Sequence, residues 1–195
     1  MSRDPNGGGM QRDLVARAQA GEHDAFTILV KASFPRVFGT AKLILRDPDR
    51  AQDAVQEALV QAWRNVRALR DPEAWDAWLY RLTVHACYRS ARAHRSRDVV
   101  ELHVLPDLEP AIEDFAAALA DQDRLGRELS RIPVDQRALV VLHFYVGLPL
   151  TEAASILDIP VGTAKSRLHR GLVALRGAMS GDPDARNRIT RERPL

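Results

Sequence analysis

The chemistry most legible in this sequence belongs to cations and hydroxyls spaced along one helix. Residues 149–175 read PLTEAASILDIPVGTAKSRLHRGLVAL, which divides into a helix, a tight turn and a second helix. In the second helix Ala164, Leu168, Leu172 and Leu175 fall at i, i+4, i+8 and i+11, one apolar stripe able to pack on Ala154, Ile156 and Leu157 of the first. The opposite face presents Thr163, Lys165, Ser166, His169 and Arg170. An α-helix fits the major groove, and its N-terminal half is where side chains reach base edges. Lys and Arg can bond guanine acceptors, and Thr and Ser can bond bases or phosphates. Gly162 leaves room for backbone close to DNA, and a helix N-terminus favours a phosphate. An ordinary solvated two-helix hairpin shares the periodicity; the short turn and the crowding of basic and hydroxyl residues favour DNA.

A second group of polar residues lies upstream. Asp53, Gln56 and Glu57 stand at i, i+3 and i+4 and so share one helix face. On residue types alone a solvated face would account for them. Trp75 and Trp78, three residues apart beside Leu79, read as packing, and Trp63 likewise. Cys87 lacks the orienting partners that a thiol nucleophile needs, and no Cys/His spacing suggests a metal. The expectation is no catalytic residue, no metal and no cofactor.

These residues need helices to position them, and helical signals run through the chain. Leu14, Val15 and Ala18 begin an apolar stripe that Phe26, Leu29 and Val30 continue after a stop at Gly21. Asp47-Pro48 and Asp71-Pro72 each pair an N-cap with proline at the first helical position, opening helices over roughly 48–65 and 72–93. Ala51, Val55, Ala58, Leu59 and Ala62 line the first inwardly; Trp75, Trp78, Leu79, Leu82 and Ala86 line the second. No strand pattern and no repeat appears. The expected fold class is all-α: two small helical domains joined by a flexible acidic linker.

Charge divides the chain in the same places. Residues 1–95 carry 15 basic and 11 acidic side chains, 96–124 carry 2 and 8, and 125–195 carry 11 and 7. Two basic blocks around an acidic strip suit two modules that each face a polyanion. The reading is a disordered N-terminus over 1–10, a first module over 11–95, a linker over 96–124, a second module over 125–178 and a polar tail over 179–195. No apolar run approaches the roughly 20 residues of a membrane span. With a single cysteine and no signal-peptide core, the chain reads as cytoplasmic, without membrane insertion.

The string VGTAKSRLHRGLVALR resembles the recognition helix of region 4 in extracytoplasmic-function (ECF) sigma factors of bacterial RNA polymerase. LSRIPVDQRALVVLHFYVGLPLTEAASIL resembles the rest of that region, through Ile132 and Pro133, Gln136, Arg137 and the apolar run to Phe144; Ala153 departs from the larger aliphatic usual there. DRAQDAVQEALVQAW resembles the polymerase-binding helix of region 2, and WDAWLYRLTVHACYRSARAHR the segment that captures the −10 element. Two such motifs in order, about 90 residues apart, cover most of the chain.

The resemblance implies a sigma factor that binds core RNA polymerase, directs promoter recognition and has no enzymatic activity of its own. It implies −35 contacts by Lys165, Ser166, His169 and Arg170 to bases, with Thr163, Arg167 and Arg137 nearer phosphates. Asp53, Gln56 and Glu57 would meet the β′ clamp helices, the β subunit being a further contact of the core enzyme. At −10, strand opening needs cations on the backbone and a pocket for an unstacked base. Arg81, Arg89, Arg92, Arg95 and Arg97 would supply the first, and Asn65 and Arg67 would help form the second. His85 stands at a base-reading position where the family usually has Asn, and Arg89 where it usually has an acid. An anti-sigma protein is a further partner the family implies. The competing reading is a helix-turn-helix regulator that binds duplex DNA without joining a polymerase. Such a regulator would carry a sensor or receiver domain, and residues 11–95 lack the alternating β/α pattern of a receiver.

Overall fold

The computed structural model describes residues 5–98 and 129–179, with side chains from 9 to 94 and from 129 to 177. The expected linker and the polar tail beyond 179 lie outside the described residues. Every regular element among the described residues is helical. The first module comprises α1 (Pro5–Gln19), α2 (His23–Leu45), α3 (Pro48–Asn65) and α4 (Trp75–Asp98), with short 3-10 turns at Val66–Ala68 and Pro72–Ala74. The second comprises α5 (Val134–Val140), α6 (Leu150–Ile156) and α7 (Val161–Met179), α5 running directly into a π turn over Val141–Tyr145.

Local chemistry sets most of these boundaries. The Asp47 side chain accepts a hydrogen bond from Arg50 N at 3.0 Å, capping α3 behind Pro48. Asp71 does the same for Glu73 N at 2.9 Å. There the outcome differs from expectation: Pro72 opens a 3-10 turn, and the α-helix begins only at Trp75. Gly21 takes φ +100° between α1 and α2, the left-handed backbone that glycine adopts without strain. A second correction concerns the N-terminus, because α1 starts at Pro5, inside the stretch expected to be disordered. Proline at a first helical position is pre-set for that geometry.

Packing follows the apolar stripes. In α3 the buried positions are Ala51, Ala54, Val55, Ala58 and Ala62, nearly all small. Small side chains let two helices approach closely, and α3 lies along both α2 and α4. Trp75 is fully buried, and its indole N–H donates to Ser33 Oγ at 3.1 Å, so the largest core residue leaves no polar atom unmatched. In the second module Ile132, Leu139, Leu142, Ile156, Leu157 and Ala164 form the interior. Ala153 is fully buried there, its small side chain fitting the interior. The two interiors are continuous, with α2 and α4 packed against α5, α6 and the π turn.

Candidate nucleic-acid and polymerase interface

α7 presents its expected face outward. Lys165, Ser166, His169 and Arg170 are exposed, and Thr163 is half-buried beside the turn. Ser166 Oγ donates to Thr163 O at 2.9 Å, and Arg170 Nε donates to Ser166 O at 3.1 Å. These are local bonds of exposed groups, exchangeable for a base or a phosphate at little cost. A Cβ on Gly162 would meet no atom within 4 Å, so the approach to the helix start is open. Arg167 lies further round the helix, with Nε 3.3 Å from Asp135 of α5, which orients that helix pair.

Arg137 does not stand with this group. Its residue is buried, and its guanidinium donates to Ile132 O at 2.9 Å, Ser130 O at 3.2 Å and Ile44 O at 2.6 Å. The expected phosphate contact is therefore corrected: in this arrangement the charge is spent inside the protein, tying the second module to the C-terminal end of α2. Buried charge is tolerated only when hydrogen-bonded, and three carbonyls accept from the two terminal nitrogens of this guanidinium.

On α3, Asp53, Gln56 and Glu57 are all exposed along one face, while Ala51, Val55 and Ala58 face the core. Glu57 is also bound across the groove between helices: Arg89 of α4 donates to its Oε1 through Nε at 3.0 Å and Nη2 at 2.8 Å. A pair this exposed contributes at most about 1 kcal/mol, so it can be exchanged for other partners.

Below that pair lies a cleft of about 570 Å³. Gln61, Trp78 and Leu82 form its inner wall; Arg81, His85 and Arg89 supply cationic or ionisable groups, facing Glu57 and Asp158. An aromatic ring among cations is the combination that holds unstacked single-stranded bases. Trp78 was expected in the core; it is half-buried, 5.7 Å between centroids from Trp75, and its open side lines this cleft. Arg92 is exposed further along α4, and the side chains of Arg95 and Arg97 lie outside the described residues. Asn65 and Arg67 are not part of the cleft wall. Asn65 Nδ2 donates to Gln61 O at 2.9 Å, and the Arg67 guanidinium lies against Gly21 at the α1–α2 turn. Sequence reasoning missed Gln61, Trp78, Leu82 and Asp158 as lining residues. Gln61 follows Glu57 by one helical turn and could have been found by periodicity; Asp158, 77 positions from Arg81, could not.

Among the described residues no group of three or more His, Cys, Asp or Glu could hold a metal, and no helix is long and apolar enough to cross a membrane.

The fold thus defines an all-α protein of two helical modules, the second a helix-turn-helix. Comparison with known families assigns each module. Residues 29–97 match the family model described as Sigma-70 region 2, and residues 122–175 match Sigma-70, region 4. The ECF RNA polymerase sigma factor SigM of Mycobacterium tuberculosis is 33% identical over 84% of this chain and 81% of its own length. The ECF RNA polymerase sigma-E factor of Escherichia coli is 31% identical over 83% and 90%. Among solved structures, CnrH in complex with the cytosolic domain of CnrY superposes with TM-score 0.67 at 24% identity, covering 89% of this chain and 99% of that one. The chain belongs to the ECF sigma factors of bacterial RNA polymerase.

Proposed function

We propose that this chain binds core RNA polymerase through Asp53, Gln56 and Glu57 of α3, reads the −35 element with α7, and holds the opened −10 strand along α4. The observation that carries the reading is the division of labour on one scaffold. An exposed acid-and-amide face on α3 stands beside a cleft with Trp78, Arg81, His85 and Arg89, and a separate helix-turn-helix presents Lys165, Ser166, His169 and Arg170. Lys165, Ser166, His169 and Arg170 face bases in this reading, and Thr163 and Arg167 lie nearer the backbone. Base contacts discriminate and phosphate contacts position. On α4, Arg81, Arg89 and Arg92 grip the strand, and Trp78 offers a surface on which a base can stack. Asn65 and Arg67 lie outside the wall of this cleft and stay in the reading only as residues of the loop beside it. The protein supplies recognition and leaves the chemistry of RNA synthesis to the polymerase, working in the cytoplasm where that enzyme is. Control by an anti-sigma partner is part of the same reading.

Run-off transcription with purified core polymerase on genomic fragments tests it. The full chain is expected to confer defined start sites, and the triple variant D53A/Q56A/E57A to lose both core association and start-site selection. Duplex binding without core association or start-site selection would identify a helix-turn-helix regulator instead.

A further inference from the structure

An apolar groove of about 400 Å³ lies away from the nucleic-acid faces described above. Leu43 of α2, Leu129, Val140 of α5, Phe144 of the π turn, and Leu172 and Leu175 of α7 line it. Tyr145 completes the wall with its hydroxyl end against Gly39 of α2, so the groove presents almost only carbon. Phe144 is 60% exposed and Tyr145 55%. Contiguous aromatic and aliphatic surface left open in this way marks a face that another segment or molecule covers.

The chain re-enters the described structure at Leu129, a lining residue, so the segment before it, residues 99–128, arrives at this groove. Within that segment Ile112, Phe115, Ala116 and Leu119 fall at i, i+3, i+4 and i+7, the spacing of one apolar helix stripe. Nine residues separate Leu119 from Leu129, a tether that spans at most about 35 Å and so can bring the stripe back along the wall. Charge points the same way. Glu113, Asp114, Asp121 and Asp123 flank the stripe, while exposed Lys42, Arg131 and Arg176 each stand one or two residues from a lining side chain. We propose that the groove is a docking site for residues 111–120 of the chain itself, with Phe115 the side chain that fills it. The effective concentration set by so short a tether is on the order of mM. Only a partner that binds this face more tightly than that displaces the segment, and a second copy of the chain finds Phe144 and Tyr145 already covered.

The test uses the full chain without polymerase, carrying p-benzoylphenylalanine in place of exposed Phe144. Irradiation followed by peptide mass spectrometry is expected to join that position to residues 111–120 of the same chain, in a yield independent of protein concentration. Phe115→Asp is expected to abolish the cross-link and, in the chain with Phe144 intact, to raise the fluorescence of the apolar dye anilinonaphthalene sulfonate, which then reaches the groove. Phe115→Leu keeps an apolar side chain on the stripe and should retain the cross-link. Val104→Asp changes an apolar residue of the same segment outside the stripe and should leave both readouts unchanged. Cross-links between two chains, growing with concentration, would overturn the proposal and make a second copy the occupant. Cross-links confined to residues outside 111–120, or none at all, would overturn it outright. A cross-link that survives F115D would remove the stripe from the groove. An equal dye response to V104D would mean that added charge, not the loss of Phe115, moves the signal, and would overturn the proposal as well.

Discussion

Arg137 offers the sharpest test of whether packing or DNA binding governs a cation that the family pattern would send to a phosphate. Its guanidinium bonds the carbonyls of Ile44, Ser130 and Ile132, the first in one module and the other two in the second. Arg137→Ala leaves those acceptors without their donor and opens a gap under α5. A hydrogen bond from a charged group contributes about 1.5–3 kcal/mol, but burying the guanidinium has already cost part of that. The net loss expected is about 3 kcal/mol, inside the range for breaking a buried charged contact. For a chain of this size that is a fall in Tm of roughly 6–12 °C. Differential scanning calorimetry measures it. Arg137→Lys should recover only part, because a point-like ammonium cannot bond three divergent carbonyls as a planar fork does. Were Arg137 instead a phosphate ligand, Tm would hold while duplex affinity fell on every sequence and the salt slope of log K shrank by about one. An unchanged Tm would refute the structural assignment.

Two other substitutions probe the reading from different directions. Arg170→Ala should cost roughly 1–3 kcal/mol on a matched −35 duplex and relax preference at one base pair, measured by binding to a randomised promoter library; a uniform loss on all sequences would make Arg170 a backbone contact. Cys87 is buried, and desolvation, only partly offset by Arg50, pushes its thiol from 9.0 up to about 12. A pKa raised by folding means that the fold favours the neutral thiol, a contribution complete below about pH 9 and lost as pH climbs from there toward 12. Native protein should therefore resist iodoacetamide at pH 8 and react only when denatured. Its Tm should drop more steeply above pH 9 than that of Cys87→Ala, and parallel curves would show that burial does not govern this thiol.

The parts of the molecule legible in the sequence are those written in neighbouring residues. Asp47 and Pro48 announce α3, and the periodicity of Ala51, Val55, Ala58 and Ala62 is carried on by buried Val66 in the 3-10 turn that follows Asn65. The turn at Asp158-Ile159-Pro160 and the stripe of α7 announce the helix-turn-helix in the same local terms. Pro72 shows where local signals stop sufficing. The same Asp-Pro pair yields only a 3-10 turn there, because the chain must first bring Trp75 inward to Ser33, a partner 42 positions away.

The residues misjudged share one physical property: each has a deciding neighbour that is remote in sequence, Ile44 for Arg137, α3 for Trp78 and Arg81 for Asp158. The resemblance sends Arg137 to a phosphate, yet carbonyls need no sequence signature to accept hydrogen bonds from it. Trp78 looked like core because tryptophan usually is, and only the position of α3 across from it leaves one side open. Asp158 looked like a turn residue, which it is, and its reach to Arg81 depends on how two modules meet. Side-chain chemistry limits what each residue can do, but long-range contact selects among those options. In the cleft on α4, Arg81 and Arg89, two of the cations the sequence offers for a −10 strand, are paired with Asp158 and Glu57, acids from different modules that no local signal joins to them.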